Sequence, residues 1–445
     1  MMPAAIARPR PPSLDEGPPQ RVYHRVDRSV GGLDEGTKVD NGIVPGTLSA
    51  DIETAARFGG HGTGVTRLAW SPELREVLDW LTEQLVELGL EVELDAAGNL
   101  IGKWEAGSGT PIAVGSHMDT VPTGGRYDGA LGVLSGLQAI RLLKERGVEP
   151  NRPLWLISFM DEEGARFGAA LFGSRAFVGK DLSELGERRD ADGIGLPEAM
   201  SRLGFDFERV PSARRVDELG GYLELHIEQG PVLETEGIEI GIVTGIVGLI
   251  GFRARFVGEA NHAGTTPMRL RRDALCGAAT AVLAFRDAGL ARNDITTNVG
   301  IISAEPGGFN VVPGAAEFTI DVRSATEEGY ATLEALVRDT LDRIAEEQGL
   351  ELELTEAYRL DPLPLAPELI DVLEQAAGAE GATSMRMPSG AGHDAMEVGR
   401  HVPAGMLFVP SRKGISHSPE EFTEPEHCEL GARVLARALE TLLTA

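Results

Sequence analysis

Cysteine is nearly absent from this chain of 445 residues, which has only Cys276 and Cys428. Two isolated thiols exclude a disulfide framework and a thiolate cluster for a soft metal. Residues 1 to about 25, rich in Pro and Arg, hold no apolar run long enough for a signal peptide or membrane span. That stretch reads as a disordered tail, and the expected compartment is a reducing cytoplasm. Positive charge is also short: 41 Lys and Arg face 69 Asp and Glu, for a net charge of -28. Phosphate backbones are gripped by clustered basic side chains, so nucleic acid is excluded as a partner, and no membrane surface is implied. Lysine is scarcer still, the basic residues being nearly all Arg, which leaves genome composition and a saline cytoplasm as open readings.

What the chain does have is a set of imidazoles and carboxylates placed after apolar runs. PIAVGSH begins with Ile112 to Val114 and reads as a buried strand that delivers His117 where strand passes into loop. LWLISFMDEEG repeats the design, with Leu154 to Phe159 followed by Asp161, Glu162 and Glu163. YLELHIEQG brings His226 on an alternating strand. Open α/β sheets bind ligands at the carboxyl ends of their strands, so three strand ends would offer donors to one point. Asp128, eleven residues past His117, and His417 complete five metal-type ligands, a pattern that suggests a two-metal hydrolase. Imidazole and carboxylate suit zinc, manganese, cobalt or nickel. Each residue has a blander reading: the acidic triplet as the first turn of a helix, His226 as a satisfied core histidine, His417 as an exposed loop residue. The joint pattern outweighs them.

The length suits two domains. SPELREVLDWLTEQLVELG is amphipathic, and GALGVLSGLQAIRLLKERG follows Asp128 directly, its Gly-rich start letting backbone approach the metal loop. From about Ile240 the order becomes strand, helix, strand, strand, helix, strand, which spells a ferredoxin-like βαββαβ unit. PELIDVLEQAAG and GMLFVP then return to a helix and a strand ahead of His417. The expected fold is therefore α/β: a discontinuous mixed-sheet catalytic domain over 26–238 and 361–445, interrupted by an inserted domain over 239–360.

DEEGARFG, GSRAFVG, HIEQGPVLE, HAGTTPM and SGAGHDAM, in that order, resemble segments of the dinuclear metal amidohydrolases allied to aminoacylases and metallocarboxypeptidases. The closest likeness is to the branch of N-carbamoyl-L-amino acid hydrolases, allantoate amidohydrolases and ureidopropionases, from about Val26 to the C-terminus. The resemblance implies a metallopeptidase-like catalytic domain and two divalent ions per chain bridged by Asp128, with His117 and His226 on one and Glu163 and His417 on the other. It also implies Glu162 as the general base and Asp119 as the partner that fixes a ligand's tautomer. The insert would be a lid and dimerisation surface of a homodimer, with His262 supplied across the interface to the oxyanion. Asn310 and Arg323 would hold the substrate's carboxylate. Gln229 and the loop carrying Gly390 and His393 are further substrate contacts on this reading. The implied substrate is a small ureido acid, an N-carbamoyl-L-amino acid first and allantoate or ureidoglycolate second, with aminoacylase or dipeptidase activity after those.

Overall fold

A computed structural model describes residues 47–60 and 62–445; the expected tail over residues 1–25 lies outside them. Six strands, β1 (Glu91–Leu94), β2 (Leu100–Trp104), β3 (Ile112–His117), β4 (Leu154–Phe159), β5 (Gly221–Ile227) and β6 (Ile240–Ile246), belong to one mixed sheet. Seven more follow in sequence: β7 (Gly248–Val257), β8 (Asn261–His262), β9 (Ile295–Asn298), β10 (Ile302–Glu305), β11 (Val311–Val312), β12 (Ala315–Ser324) and β13 (Glu351–Leu360). The chain then rejoins the first sheet through β14 (Leu363–Pro364), β15 (Ser384–Ser389) and β16 (Ala404–Val409).

The large sheet runs β1-β2-β4-β3-β5-β16-β6-β14, with β15 also on β6. Its centre, β4-β3-β5-β16, is parallel. In that register His117 stands opposite Phe159 and His226 opposite Phe408, so the ends of these strands fall on one edge of the sheet. Strands β3 and β4 are buried along their whole length, as apolar runs in a parallel sheet must be when helices cover both faces. Helices Ala130–Glu145 and Pro425–Thr444 pack together, and Pro367–Ala379 lies against the latter and β16.

One expectation needs refinement. YLELHIEQG is expected as an alternating strand, and all seven residues of β5 are buried. Leu223, Leu225 and Ile227 enter the apolar core, while Tyr222, Glu224 and His226 face a buried polar network rather than water. Period-two patterning reports two chemically different faces, and here both are covered.

The second sheet has the order β10-β12-β7-β13, with β9 also on β12, and every pairing is antiparallel. With helices Ala274–Ala291 and Glu327–Gln348 the elements follow as the expected βαββαβ, except that the second of its strands is broken into β9 and β10. The cause is a bulge: Asn298 pairs with Asp321 and Ile302 with Phe318, so this strand carries one more residue than its neighbour within 299–301. The second sheet has its own apolar core around Phe252, Phe256, Phe318, Val337 and Leu341. Where the chain leaves the large sheet and returns to it, Ile246 and Leu363 are antiparallel partners. Helix Ala274–Ala291 meets the length and mean hydropathy, 1.3, of a membrane span. It packs Ala274, Ala278, Ala281 and Phe285 into the second core and leaves Leu275, Leu283 and Leu290 exposed.

Candidate functional site

The edge where β3, β4 and β5 end gathers the donors. His117 is buried, and its Nδ1 lies 3.1 Å from the Asp119 carbonyl, which leaves Nε2 as the outward nitrogen. That Nε2 is 3.7 Å from Asp128 Oδ1 and 3.6 Å from Glu162 Oε2. His226 is arranged alike: Nδ1 meets the Ile227 carbonyl at 2.9 Å, and Nε2 is 3.3 Å from the same Asp128 Oδ1. The other Asp128 oxygen, Oδ2, is 3.5 Å from His417 Nε2, which is 3.3 Å from Glu163 Oε2. Thus Asp128 stands between two groups of three donors, His117–Asp128–His226 and Asp128–Glu163–His417, each with its ligand atoms within 4.8 Å of one another. His417 is half exposed and the only one of the five open to solvent to that degree.

Several local features hold this arrangement. Gly129 has φ +63°, and a Cβ there would lie within 3.0 Å of three atoms of the His117 ring, so only glycine lets the helix after Asp128 start this close. Asp119 accepts hydrogen bonds at 3.2 Å from both the Glu162 and Glu163 amides, which ties the end of β4 to the end of β3. The acidic triplet is not a helix start; the next helix begins at Phe172. Instead Asp161 has φ +56°, as Gln229 has +57° and His417 +54°. Left-handed backbone at non-glycine residues costs of order 1–3 kcal/mol each, and its concentration around one cleft marks a functional site.

The electrostatics explain why a cation belongs here. Burial would raise the Asp128 carboxyl, but the hydrogen bond and charge of His226, with His117 and Ser416, hold it well below the usual range. In return burial works against charge on His226, and Asp128 overrides it, pushing the imidazole up to about 9. Burial followed by the neighbouring carboxylates, Asp128 first, pushes Glu163 up to about 9. Burial and then Glu163 likewise push Glu162 far up. A positive charge between an imidazole lone pair and a carboxylate, either a proton or a metal ion, is stabilised by both. The all-nitrogen-and-oxygen donor set, with both rings held by backbone carbonyls at Nδ1, fits divalent cations.

Three residues at the centre carried no sequence signal. Ser416 donates to Asp128 Oδ2 at 2.6 Å. Glu421, buried, accepts from the Tyr127 and Asp128 amides at 2.9 and 3.0 Å and so fixes the backbone of Asp128. The Arg67 guanidinium, also buried, donates to the carbonyls of Met118, Ala55 and Phe58 and braces the loop leading to Asp119. Their partners are far away in sequence, and only the proximity of Ser416 and Glu421 to His417 could have drawn attention.

The remaining expected residues fall in three places. Gln229 donates through Nε2 to Asp128 Oδ2 at 2.8 Å. His393 is buried, its ring centroid 4.6 Å from that of His226 and its Nε2 2.8 Å from Ser389 Oγ. Arg323 spans the two sheets: it pairs with Asp321 at 2.7 Å and donates to the Gly390 carbonyl at 2.8 Å. His262 and Asn310 are both exposed, on the ribbon β8–β11, where Val311 faces His262 and the Ala263 amide donates to the Asn310 carbonyl at 2.9 Å. Neither has a hydrogen bond or ion pair to the five donors among the described residues.

Two donor groups sharing one carboxylate at the carboxyl edge of a mixed sheet form the frame of a metallopeptidase-type hydrolase. The sequence profile of peptidase family M20/M25/M40 matches residues 113–441, and the chain belongs to that family. It is 39% identical over 406 residues to the N-carbamoyl-L-amino-acid amidohydrolase of Paenarthrobacter aurescens, covering 89% of this chain and 97% of that one. It is 37% identical to the allantoate amidohydrolase of Bacillus subtilis, covering 90% and 98%. A crystal structure of a hydantoinase/carbamoylase family amidase from Burkholderia multivorans superposes with a TM-score of 0.84 at 36% identity, covering 89% of this chain and 97% of that one.

Proposed function

We propose that this protein hydrolyses the carbamoyl amide bond of N-carbamoyl-L-amino acids, giving the amino acid, carbon dioxide and ammonia. The observation that carries the hydrolytic reading is the division of the two Asp128 oxygens between two donor groups, and the carbamoyl substrate is supported by the 39% identity to the Paenarthrobacter aurescens enzyme. His117, Asp128 and His226 would hold one divalent ion and Asp128, Glu163 and His417 a second, drawn from zinc, manganese, cobalt and nickel. Such ions supply Lewis acidity toward the ureido carbonyl and make a bound water acidic at neutral pH.

The protein's own groups do the rest. Glu162 Oε2, directed at the His117 side of the cluster, takes a proton from the attacking water and returns it to the departing nitrogen. Asp119 keeps Glu162 and Glu163 in place through their amides. Gln229 and Ser416 hold Asp128 in the orientation that serves both groups. Arg323, with Asn310, takes the substrate carboxylate, the planar guanidinium matching its two oxygens, and the Gly390 loop lies beside it. His393, buried beside His226, packs against that imidazole and is a further substrate contact on this reading.

His262, exposed on the insert, reaches the oxyanion from a second copy. An apolar, unpaired edge supports such a homodimer: β10 ends the second sheet, and Ile301, Ile302, Leu283 and Leu290 are exposed on the insert. Two unpaired cysteines, one exposed and one buried, support a reducing compartment such as the cytoplasm.

Allantoate is the second reading, favoured by the similarity to the Bacillus subtilis enzyme and by the ureido and carboxylate groups it shares with carbamoyl amino acids. Ammonia release from N-carbamoyl-L-methionine and from allantoate, measured on protein reconstituted with manganese or cobalt, separates them. Faster turnover of allantoate would replace the carbamoylase reading.

A further inference from the structure

Of the 14 phenylalanines in the chain, Phe309 alone is exposed, with a relative accessibility of 112%. It stands in the turn Gly307-Gly308-Phe309-Asn310 between β10 and β11, where Gly307 and Gly308 have φ of +71° and +145°. The two glycines supply the positive-φ backbone that precedes this fully exposed ring. The next residue is Asn310, whose carbonyl accepts from Ala263, and Val311 is paired with His262. Phe309 therefore belongs to the same end of the same ribbon as the two polar groups assigned above to substrate. Met268 and Leu270, further along the loop from His262, are 72% and 63% exposed. A ribbon with an imidazole, a carboxamide and an apolar ring at its tip has two kinds of recognition to offer: polar contacts for the ureido acid and an apolar surface for something beside it.

We propose that Phe309 is a specificity-determining residue supplied in trans. Its ring covers the side chain of an N-carbamoyl-L-amino acid bound in the partner subunit and favours ureido acids with an apolar side chain over those with none. The inference rests on the reading of the site as a carbamoylase completed by a second copy, and it deepens that reading by naming the substrate class. The physical reason is that a pocket discriminates apolar side chains by the surface it removes from water, and a bare aromatic ring provides such surface with two rotatable bonds to order. Substrates such as allantoate and N-carbamoylglycine offer nothing apolar for it to cover.

The test compares wild type with Phe309→Ala and Phe309→Leu on metal-loaded protein. The readout is the ratio of kcat/KM for N-carbamoyl-L-methionine to that for N-carbamoylglycine. Phe309→Ala is expected to lower the ratio by about tenfold or more, the scale on which apolar pockets discriminate, with Leu intermediate. Differently tagged Phe309→Ala and Glu162→Gln chains, co-expressed and purified as the mixed dimer, have one competent Glu162, on the chain that lacks the ring. The wild-type ratio is expected to return there, since the ring comes from the other chain. An unchanged ratio in Phe309→Ala, equal loss on both substrates, a mixed dimer that keeps the altered ratio, or a monomeric wild type each overturns the proposal. Wild-type protein inactive on every carbamoyl amino acid would instead overturn the reading on which it rests.

Discussion

Replacing Gly129 by Ala tests whether the close approach of the helix start to His117 organises the metal cluster. Alanine at φ 63° and ψ -52°, a sparsely populated conformation, costs on the order of 1–3 kcal/mol in backbone strain alone. Its Cβ would sit within 3.0 Å of Cε1, Nε2 and Nδ1 of His117, against ordinary contact at 3.4–4 Å. The ring cannot yield freely, because it is buried and its Nδ1 is engaged by the Asp119 carbonyl. Relief therefore takes a shift of roughly 1 Å in either the ring or the Asp128 loop, and misplacement on that scale costs on the order of 100-fold in rate. Gly89→Ala is the matched control: φ is +80°, and nothing lies within 4 Å of the added methyl. Gly129→Ala should lose more thermal stability than Gly89→Ala, which carries backbone strain without the clash, and only Gly129→Ala should lose metal content by elemental analysis and about 100-fold in kcat/KM. A Gly129→Ala enzyme with full metal content and full activity would refute the reasoning.

Glu162→Gln should retain its metals while losing activity by orders of magnitude, since the amide cannot carry the proton; near-normal turnover would remove Glu162 from that role. Ser416→Ala deletes a donor to Asp128 and is expected to weaken metal binding by about 10–100-fold in a competition titration with a chromogenic chelator. Chelated protein should show a stability that depends on pH in a definite direction. Glu163, whose ordinary value is 4.5, is raised to about 9 by burial and its neighbours, so its contribution is complete below 4.5 and is lost as pH rises through 9. The melting temperature of the metal-free protein should therefore fall between pH 5 and 9, and saturating manganese should flatten the fall; identical slopes with and without metal would contradict the electrostatic account.

Much of the site could be read from residue order because its chemistry sits at strand ends. An apolar run that stops abruptly at His117, or at Asp161, Glu162 and Glu163, announces both the strand and the place where it opens to a ligand. The parallel register then brings those ends to one edge, a consequence of sheet topology rather than of any local signal. What remained illegible was the support of Asp128 by Gln229, Ser416 and Glu421. Polar side chains in loops have no periodicity, and their partners are chosen by how distant segments pack. The broken strand β9–β10 was hidden for a related reason: a bulge depends on the neighbour's count of residues as well as on its own. The burial of Tyr222, Glu224 and His226 shows the limit of alternation as a guide, since a polar face can turn inward when it meets other polar groups.

Ile246 and Leu363, facing each other across two hydrogen-bonded strands, have a consequence for modularity. Their α-carbons are about 5 Å apart, as in any antiparallel pair. A tight turn spliced between them would excise everything from 247 to 362 without tearing the parent sheet, and all five candidate metal donors would stay behind. The second sheet is thus joined to the first by two adjacent strand ends, with the Arg323 to Gly390 hydrogen bond as a further tie between them, so its removal would be a local operation on the chain.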